Sequence, residues 1–141
     1  MADELLLGGA TGVAVDGRAV LIEGVPGSGK SSLALALIDR GAVLIGDDGV
    51  RLSLSGGRLM AHPPPNTAGL LEVRNVGLIT LGITSAPVSL ILRLDPAAPR
   101  FPDEVPQRTL LRTNVPELLF RCGDAVQALR AEWALRMFGL T

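Results

Sequence analysis

Eight residues, Gly24-Val25-Pro26-Gly27-Ser28-Gly29-Lys30-Ser31, satisfy the spacing G-x-x-x-x-G-K-[ST]. Each part has a chemical reason. Glycines let backbone N–H groups curl around phosphate oxygens without side-chain obstruction. A helix opening at the end of the loop adds unpaired N–H groups and a dipole that favours an anion. Lys30 would reach the outer phosphates as a point charge, and the Ser31 hydroxyl would bind Mg²⁺, with Ser32 beside it. The alternative is a glycine-rich turn that matches by chance. The apolar run before the loop and the helical pattern after it count against that. Lys30 is also the only lysine in a chain whose other basic residues are all arginine.

Two carboxylates, Asp47 and Asp48, follow the next apolar run. One could hold Mg²⁺, directly or through water, while the other takes a proton from an attacking hydroxyl. Asp48-Gly49 is equally an ordinary turn pair, and the residues alone leave both readings open. Further on, Glu72 and Arg74 stand two apart in an apolar stretch. That spacing places them on one face of a strand, where a surface ion pair is the bland reading. His62, the only histidine, precedes Pro63-Pro64-Pro65 and reads as a loop residue rather than a catalytic one.

The elements that must position these groups are legible in outline. Thr11–Val15 and Ala19–Glu23 flank Asp16-Gly17-Arg18 as a hairpin. Ser31–Arg40 reads as a helix stopped at Gly41, followed by a buried strand at Ala42–Ile45. Val50–Leu54 and Arg58–Ala61 form a second hairpin around Ser55-Gly56-Gly57. Leu70–Val73, Leu78–Gly82 and Val88–Leu94 have strand character, and proline-rich Asp95–Pro106 reads as a surface loop. From Asp124 to Phe138, Val126, Leu129, Trp133 and Met137 recur at helical spacing and predict one apolar face. The sum is α/β, mostly strands with two helices, without the strict alternation of a doubly wound sheet.

At 141 residues, 48% of them hydrophobic, the chain fits a single domain with a real core. A formal net charge of −1 argues against nucleic acid or an anionic membrane as the main partner. The single Cys122 points to a reducing compartment, with a small buried hydrophobe as its expected role. The N-terminal MADELLLGG starts acidic and is too short to span a membrane. A cytoplasmic location is the expectation.

Taken together, the segment from Thr11 to Arg74 resembles the HPr kinase/phosphorylase family, in a short form holding the catalytic domain alone, with weaker similarity through Leu94. The carriers are the strand–loop–helix–strand–Asp-Asp arrangement of GVAVDGRAVLIEGVPGSGKSSLALALIDRGAVLIGDDGV and the Glu-x-Arg segment of GLLEVRNVGLI. The resemblance implies a P-loop-containing fold of the HPr kinase C-terminal-domain type, with core motifs in 11–94 and a C-terminal loop and helix in 95–141. It implies an ATP- and Mg²⁺-dependent protein serine kinase that phosphorylates an HPr-like phosphocarrier and can remove that phosphate with inorganic phosphate. It implies binding of nucleotide phosphates and Mg²⁺ by Gly24–Ser31, and assigns acid/base duty to Asp47. It puts Asp48 and Glu72 with Ser31 in the metal region, Arg74 in the signature strand, and a homo-oligomer, a hexamer, as the assembly. The chain departs from the family pattern where Gly9 stands at a histidine position, Ser32 at an acidic one and Asn75 at a glycine. Arg108 and Arg112 are both candidates for a later family arginine. A nucleotide-binding regulatory homologue with weak or no turnover is the alternative. A small-metabolite kinase is a third reading, which the lack of an evident long lid segment disfavours.

Overall fold

A computed structural model describes residues 3–141; Met1 and Ala2, the start of the acidic N-terminal stretch, lie outside them. Among the described residues, eleven strands and two helices follow in chain order. They are β1 Glu4–Gly8, β2 Thr11–Val15, β3 Arg18–Glu23, α1 Lys30–Asp39, β4 Val43–Gly46, β5 Gly49–Ser55, β6 Arg58–His62, β7 Leu70–Val73, β8 Gly77–Thr80, β9 Ala86–Leu94, β10 Gln107–Leu110, β11 Thr113–Phe120 and α2 Gln127–Phe138. The main sheet runs β1-β5-β6-β9-β3-β2-β4, β11 adds to β9 and carries β10, and β7-β8 form a separate ribbon.

Strand alternation divides the core in two. Val20 and Ile22 of β3, with Leu90, Leu92 and Leu94 of β9, meet α1 and α2 on one face. Ala19 and Leu21, with Ile45, Leu52, Ile91 and Val115, fill the other face. Period-2 side-chain direction is what lets one strand serve both layers.

Most expected elements form within a residue or two. The hairpin turn is Asp16-Gly17, both at positive φ, and the helix after the glycine loop buries Leu33, Ala34 and Leu37. Three features differ from expectation. β1 pairs with β5 along its whole length as an edge strand. The β10–β11 hairpin occupies residues just past the Asp95–Pro106 loop, a stretch to which the sequence reading assigns no strand. Its Pro116 sits where β11 changes partner, with Gln107 opposite Pro116 and Ile91 opposite Glu117. A proline has no N–H for a ladder, and a changeover tolerates that loss.

The third difference concerns α2. Val126, Leu129, Trp133 and Met137, read from the sequence as the apolar face of the helix, are all exposed, while Ala128, Ala131, Ala134 and Leu135 are buried. The small residues let α2 approach α1 closely. Arg40, just past α1, then donates to both carboxylate oxygens of nearly buried Glu132 at 3.0 Å. That hydrogen bond and charge raise the Arg40 pKa further above its usual value.

Candidate functional site

The topology brings the loop and the aspartates together. β2 runs antiparallel to both β3 and β4, so β3 and β4 run parallel with β2 between them. Their C-terminal ends, which lead into the Gly24–Ser31 loop and into Asp47-Asp48, therefore lie on one edge of the sheet, where open α/β sheets bind ligands. The start of β2, Thr11, stands between them.

The loop is built as a backbone cradle. Gly27 and Gly29 take φ of 81° and 106°, and Gly29 sits at the N-terminus of α1. A Cβ on Gly29 would stand 3.0 Å from the Cys122 sulfur, and the Cys122 thiol donates to the Ser28 carbonyl at 3.2 Å. Cys122 is thus half-buried packing behind the loop. Lys30 Nζ donates to the carbonyls of Gly24 at 2.9 Å and Val25 at 3.3 Å, which keeps the ammonium within the arc of the loop.

The aspartates sit in a forced turn. A Cβ on Gly46 would lie 2.7 Å from Pro64 and closer still to the Gly49 carbonyl, so only glycine fits there. Asp48 takes φ 59°, a left-handed conformation that aspartate tolerates better than most residues. The two carboxylates then differ sharply. Asp47 Oδ1 accepts hydrogen bonds from Ser31 Oγ at 2.7 Å and Thr11 Oγ1 at 3.0 Å, and its Oδ2 accepts the Glu72 N–H at 3.1 Å. Asp48 is exposed, and among the described residues no group donates to its carboxylate; only its backbone is held, by the Thr11 hydroxyl and the Gly9 N–H.

One cleft collects Thr11, Pro26, Gly27, Gly29, Lys30, Ser31, Ser32, Asp47, Asp48, Glu72 and Arg74. Nearly every residue nominated from sequence therefore converges; Gly24, Val25 and Ser28 complete the loop without facing the cleft. Glu72 and Arg74 share the cleft without forming an ion pair with each other among the described residues. Thr11 was not nominated. The only available signal was its place at the start of a strand sandwiched between two parallel ones.

Other nominees fall elsewhere. His62 ends β6 and bridges Ser53 and Ser85, with 2.8 Å on each ring nitrogen; burial and then Arg51 hold its pKa below the usual value. Arg108 pairs with Glu23 and Glu117, and Arg112 with Asp3, so neither lines the cleft. At Gly9, φ is 79° and a Cβ would meet open space. Asn75 takes φ 69°, supplying the left-handed backbone that a glycine would supply.

Oxygen donors at Ser31, Asp47 and Glu72 beside the glycine-rich loop suit Mg²⁺, which takes hard ligands and is usually bound through one or two carboxylates together with substrate phosphates. Among the described residues there is no cluster of three or more His, Cys, Asp or Glu able to hold a metal by itself.

Fold and cleft together define a mixed α/β protein whose glycine-rich loop faces an Asp-Asp turn across one cleft. A family model described as HPr Serine kinase C-terminal domain matches residues 2–85. The chain belongs to that family. Curated HPr kinase/phosphorylases resemble it closely over the core motifs: that of Clostridium botulinum (strain Eklund 17B / Type B) is 49% identical over 67 residues, 48% of this chain and 22% of the relative. That of Mycoplasmopsis pulmonis is 45% identical over 69 residues, 49% of this chain and 22% of the relative. The match thus spans about a fifth of these relatives' length. A solved structure, the Hpr(Ser) kinase/phosphatase from Coxiella burnetii, superposes with a TM-score of 0.82 at 27% identity, covering 94% of this chain and 88% of that one. The mixed α/β fold with a curled sheet and two helices is that of an HPr kinase. Among the described residues no helix is long and apolar enough to cross a membrane.

Proposed function

We propose that the chain is a protein serine kinase that transfers phosphate from ATP to an HPr-like phosphocarrier, with Mg²⁺ as cofactor. The observation that carries this reading is the division of labour between the two aspartates. Asp47 is committed through both oxygens, one of them to the loop serine. Asp48 presents an uncommitted carboxylate to the same cleft. The family resemblance assigns acid/base duty to Asp47 and metal duty to Asp48; the geometry favours the reverse. Ser31 and Asp47, with Glu72 on the same cleft, would hold Mg²⁺, which when bound neutralises charge on the transferring phosphate.

In this scheme the loop amides from Gly27 to Ser31 and the N-terminus of α1 bind and orient the phosphates. Lys30 leaves its carbonyl partners for a phosphate oxygen. Asp48 accepts the proton of the incoming serine hydroxyl, which raises its nucleophilicity as the phosphoryl group moves. Arg74, in the turn just past β7, lies on the same cleft and can steady the acceptor side. Incubation with γ-labelled ATP, Mg²⁺ and an HPr-like carrier tests the proposal. Label on a carrier serine is expected; tight ATP binding with an unlabelled carrier counts against a kinase.

A second reading, a nucleotide-binding regulatory homologue with little turnover, draws on a specific observation. No imidazole stands beside the Asp48 backbone where Gly9 sits, and the single histidine is engaged with Ser53 and Ser85. This loss bears most on phosphate removal, where a group able to shuttle protons helps. A homo-oligomer and a cytoplasmic location remain part of the proposal, carried by the family resemblance.

A further inference from the structure

The Asp48 side chain is exposed, and among the described residues no group donates to its carboxylate. Its aim is therefore set by its backbone, which takes the left-handed φ of 59°. One short segment of the chain holds that backbone on both sides. The Gly9 N–H donates to the Asp48 carbonyl at 3.1 Å, and the Asp48 N–H donates to Thr11 Oγ1 at 3.4 Å.

Thr11 is built for that task. It is fully buried, at 0% exposure, so it is out of a substrate's reach and acts on the cleft only through its neighbours. It opens β2, which is paired on both edges: Thr11 stands opposite Ile22 of β3, and Gly12 opposite Gly46 of β4. A β-branched side chain on such a strand has little χ1 freedom. A hydroxyl carries one proton and two lone pairs. The proton goes to Asp47 Oδ1 at 3.0 Å, which leaves a lone pair for the Asp48 N–H. Asp47 keeps Ser31 and the Glu72 N–H as other donors; the Asp48 N–H has Thr11 alone among the described residues.

We propose that Thr11 is a positioning residue for phosphoryl transfer: its hydroxyl, anchored on Asp47, fixes the Asp48 backbone so that the free carboxylate faces the cleft. The inference rests on the reading of Asp48 as proton acceptor. Moving a reacting group by about 1 Å costs up to about 10²-fold in rate. Phosphate binding by the glycine loop makes no use of Thr11 and should be spared.

Thr11→Val keeps the branched shape and removes the hydroxyl, while Thr11→Ser keeps the hydroxyl. Single-turnover transfer from γ-labelled ATP to an HPr-like carrier compares them, with ATP affinity read by calorimetry. At saturating ATP and carrier, Thr11→Val should be about 10–100-fold slower than the native protein. Its ATP affinity and half-saturating carrier concentration should stay within about threefold, since the loss falls on the transfer step. Thr11→Ser should recover the rate to within about fivefold. Added to Asp48→Asn, Thr11→Val should slow transfer by less than about threefold more, because the group it positions is already gone. Melting temperatures above the assay temperature check that the variants are folded; Thr11→Cys, whose thiol is a weak donor, replaces Thr11→Val if that variant is not. Native-rate transfer by Thr11→Val overturns the inference alone. So does a loss confined to ATP or carrier binding, one that Thr11→Ser fails to recover, or one that multiplies in full on Asp48→Asn. No transfer by the native protein removes the phosphoryl-transfer reading and this inference with it.

Discussion

Replacing Asp47 and Asp48 in turn by asparagine changes neither size nor shape, yet the structure predicts opposite consequences for stability. In the Asp47→Asn variant, the amide oxygen can keep the two hydroxyl donors, Ser31 at 2.7 Å and Thr11 at 3.0 Å. The new NH₂ group then faces the Glu72 N–H that Oδ2 accepted at 3.1 Å, donor against donor. Hydrogen bonds to a charged acceptor contribute about 1.5–3 kcal/mol each, and stranding a donor costs a further 1–3 kcal/mol when buried. Asp47 is only half-buried, so the lower part of that range applies and the loss should be about 2–3 kcal/mol. For a domain of this size, that is a fall in Tm of roughly 6–12 °C. Asp48→Asn removes no hydrogen bond from an exposed side chain and should shift stability by no more than about 0.5 kcal/mol. Thermal unfolding followed by circular dichroism without nucleotide measures both. Equal shifts, or a larger one for Asp48→Asn, would refute the assignment of Asp47 as the engaged carboxylate.

Further outcomes follow from other parts of the fold. Arg108→Met leaves Glu23, 8% exposed, with Arg93 at 3.5 Å as its remaining cation; denaturant unfolding should show a loss of about 2–3 kcal/mol, below the usual range for breaking a buried pair because one partner stays. Gly46→Ala forces a methyl onto the Gly49 carbonyl and Pro64 and should cost about 3 kcal/mol, with nucleotide affinity, read by titration calorimetry, falling as the Asp47-Asp48 turn shifts. His62 has a depressed folded pKa, from burial first and Arg51 second, so the unfolded chain binds a proton before the folded one does. Its contribution is intact above about pH 6.5 and is lost as pH falls below that towards the folded value. Tm measured between about pH 7 and pH 5 should therefore fall more steeply for the native protein than for His62→Asn.

What the sequence made legible was local. The strand, glycine loop and helix around Lys30 are consecutive, and their chemistry follows from residue types at fixed spacing. Asp47 and Asp48 were legible as a pair for the same reason. Which of them is engaged was not, because that depends on Thr11 and on the Glu72 amide, 36 and 25 residues away. Helical periodicity around Trp133 correctly announced an amphipathic helix. Periodicity cannot say which face meets the protein, and here the alanine face does, because close approach to α1 rewards small side chains. Asn75 shows the converse: a departure from the family glycine at the level of letters keeps the left-handed backbone. The β10–β11 hairpin escaped notice because Pro116 and polar neighbours mask a strand that switches partners midway.

The measurement that bears most directly on the central claim is single-turnover transfer from γ-labelled ATP to the serine of an HPr-like carrier, comparing the native protein with Asp48→Asn. The account predicts a carrier phosphorylated by the native protein and a rate lowered about 10²–10⁴-fold in the variant, with ATP affinity changed by no more than a few-fold. Transfer by Asp48→Asn at the native rate would contradict it.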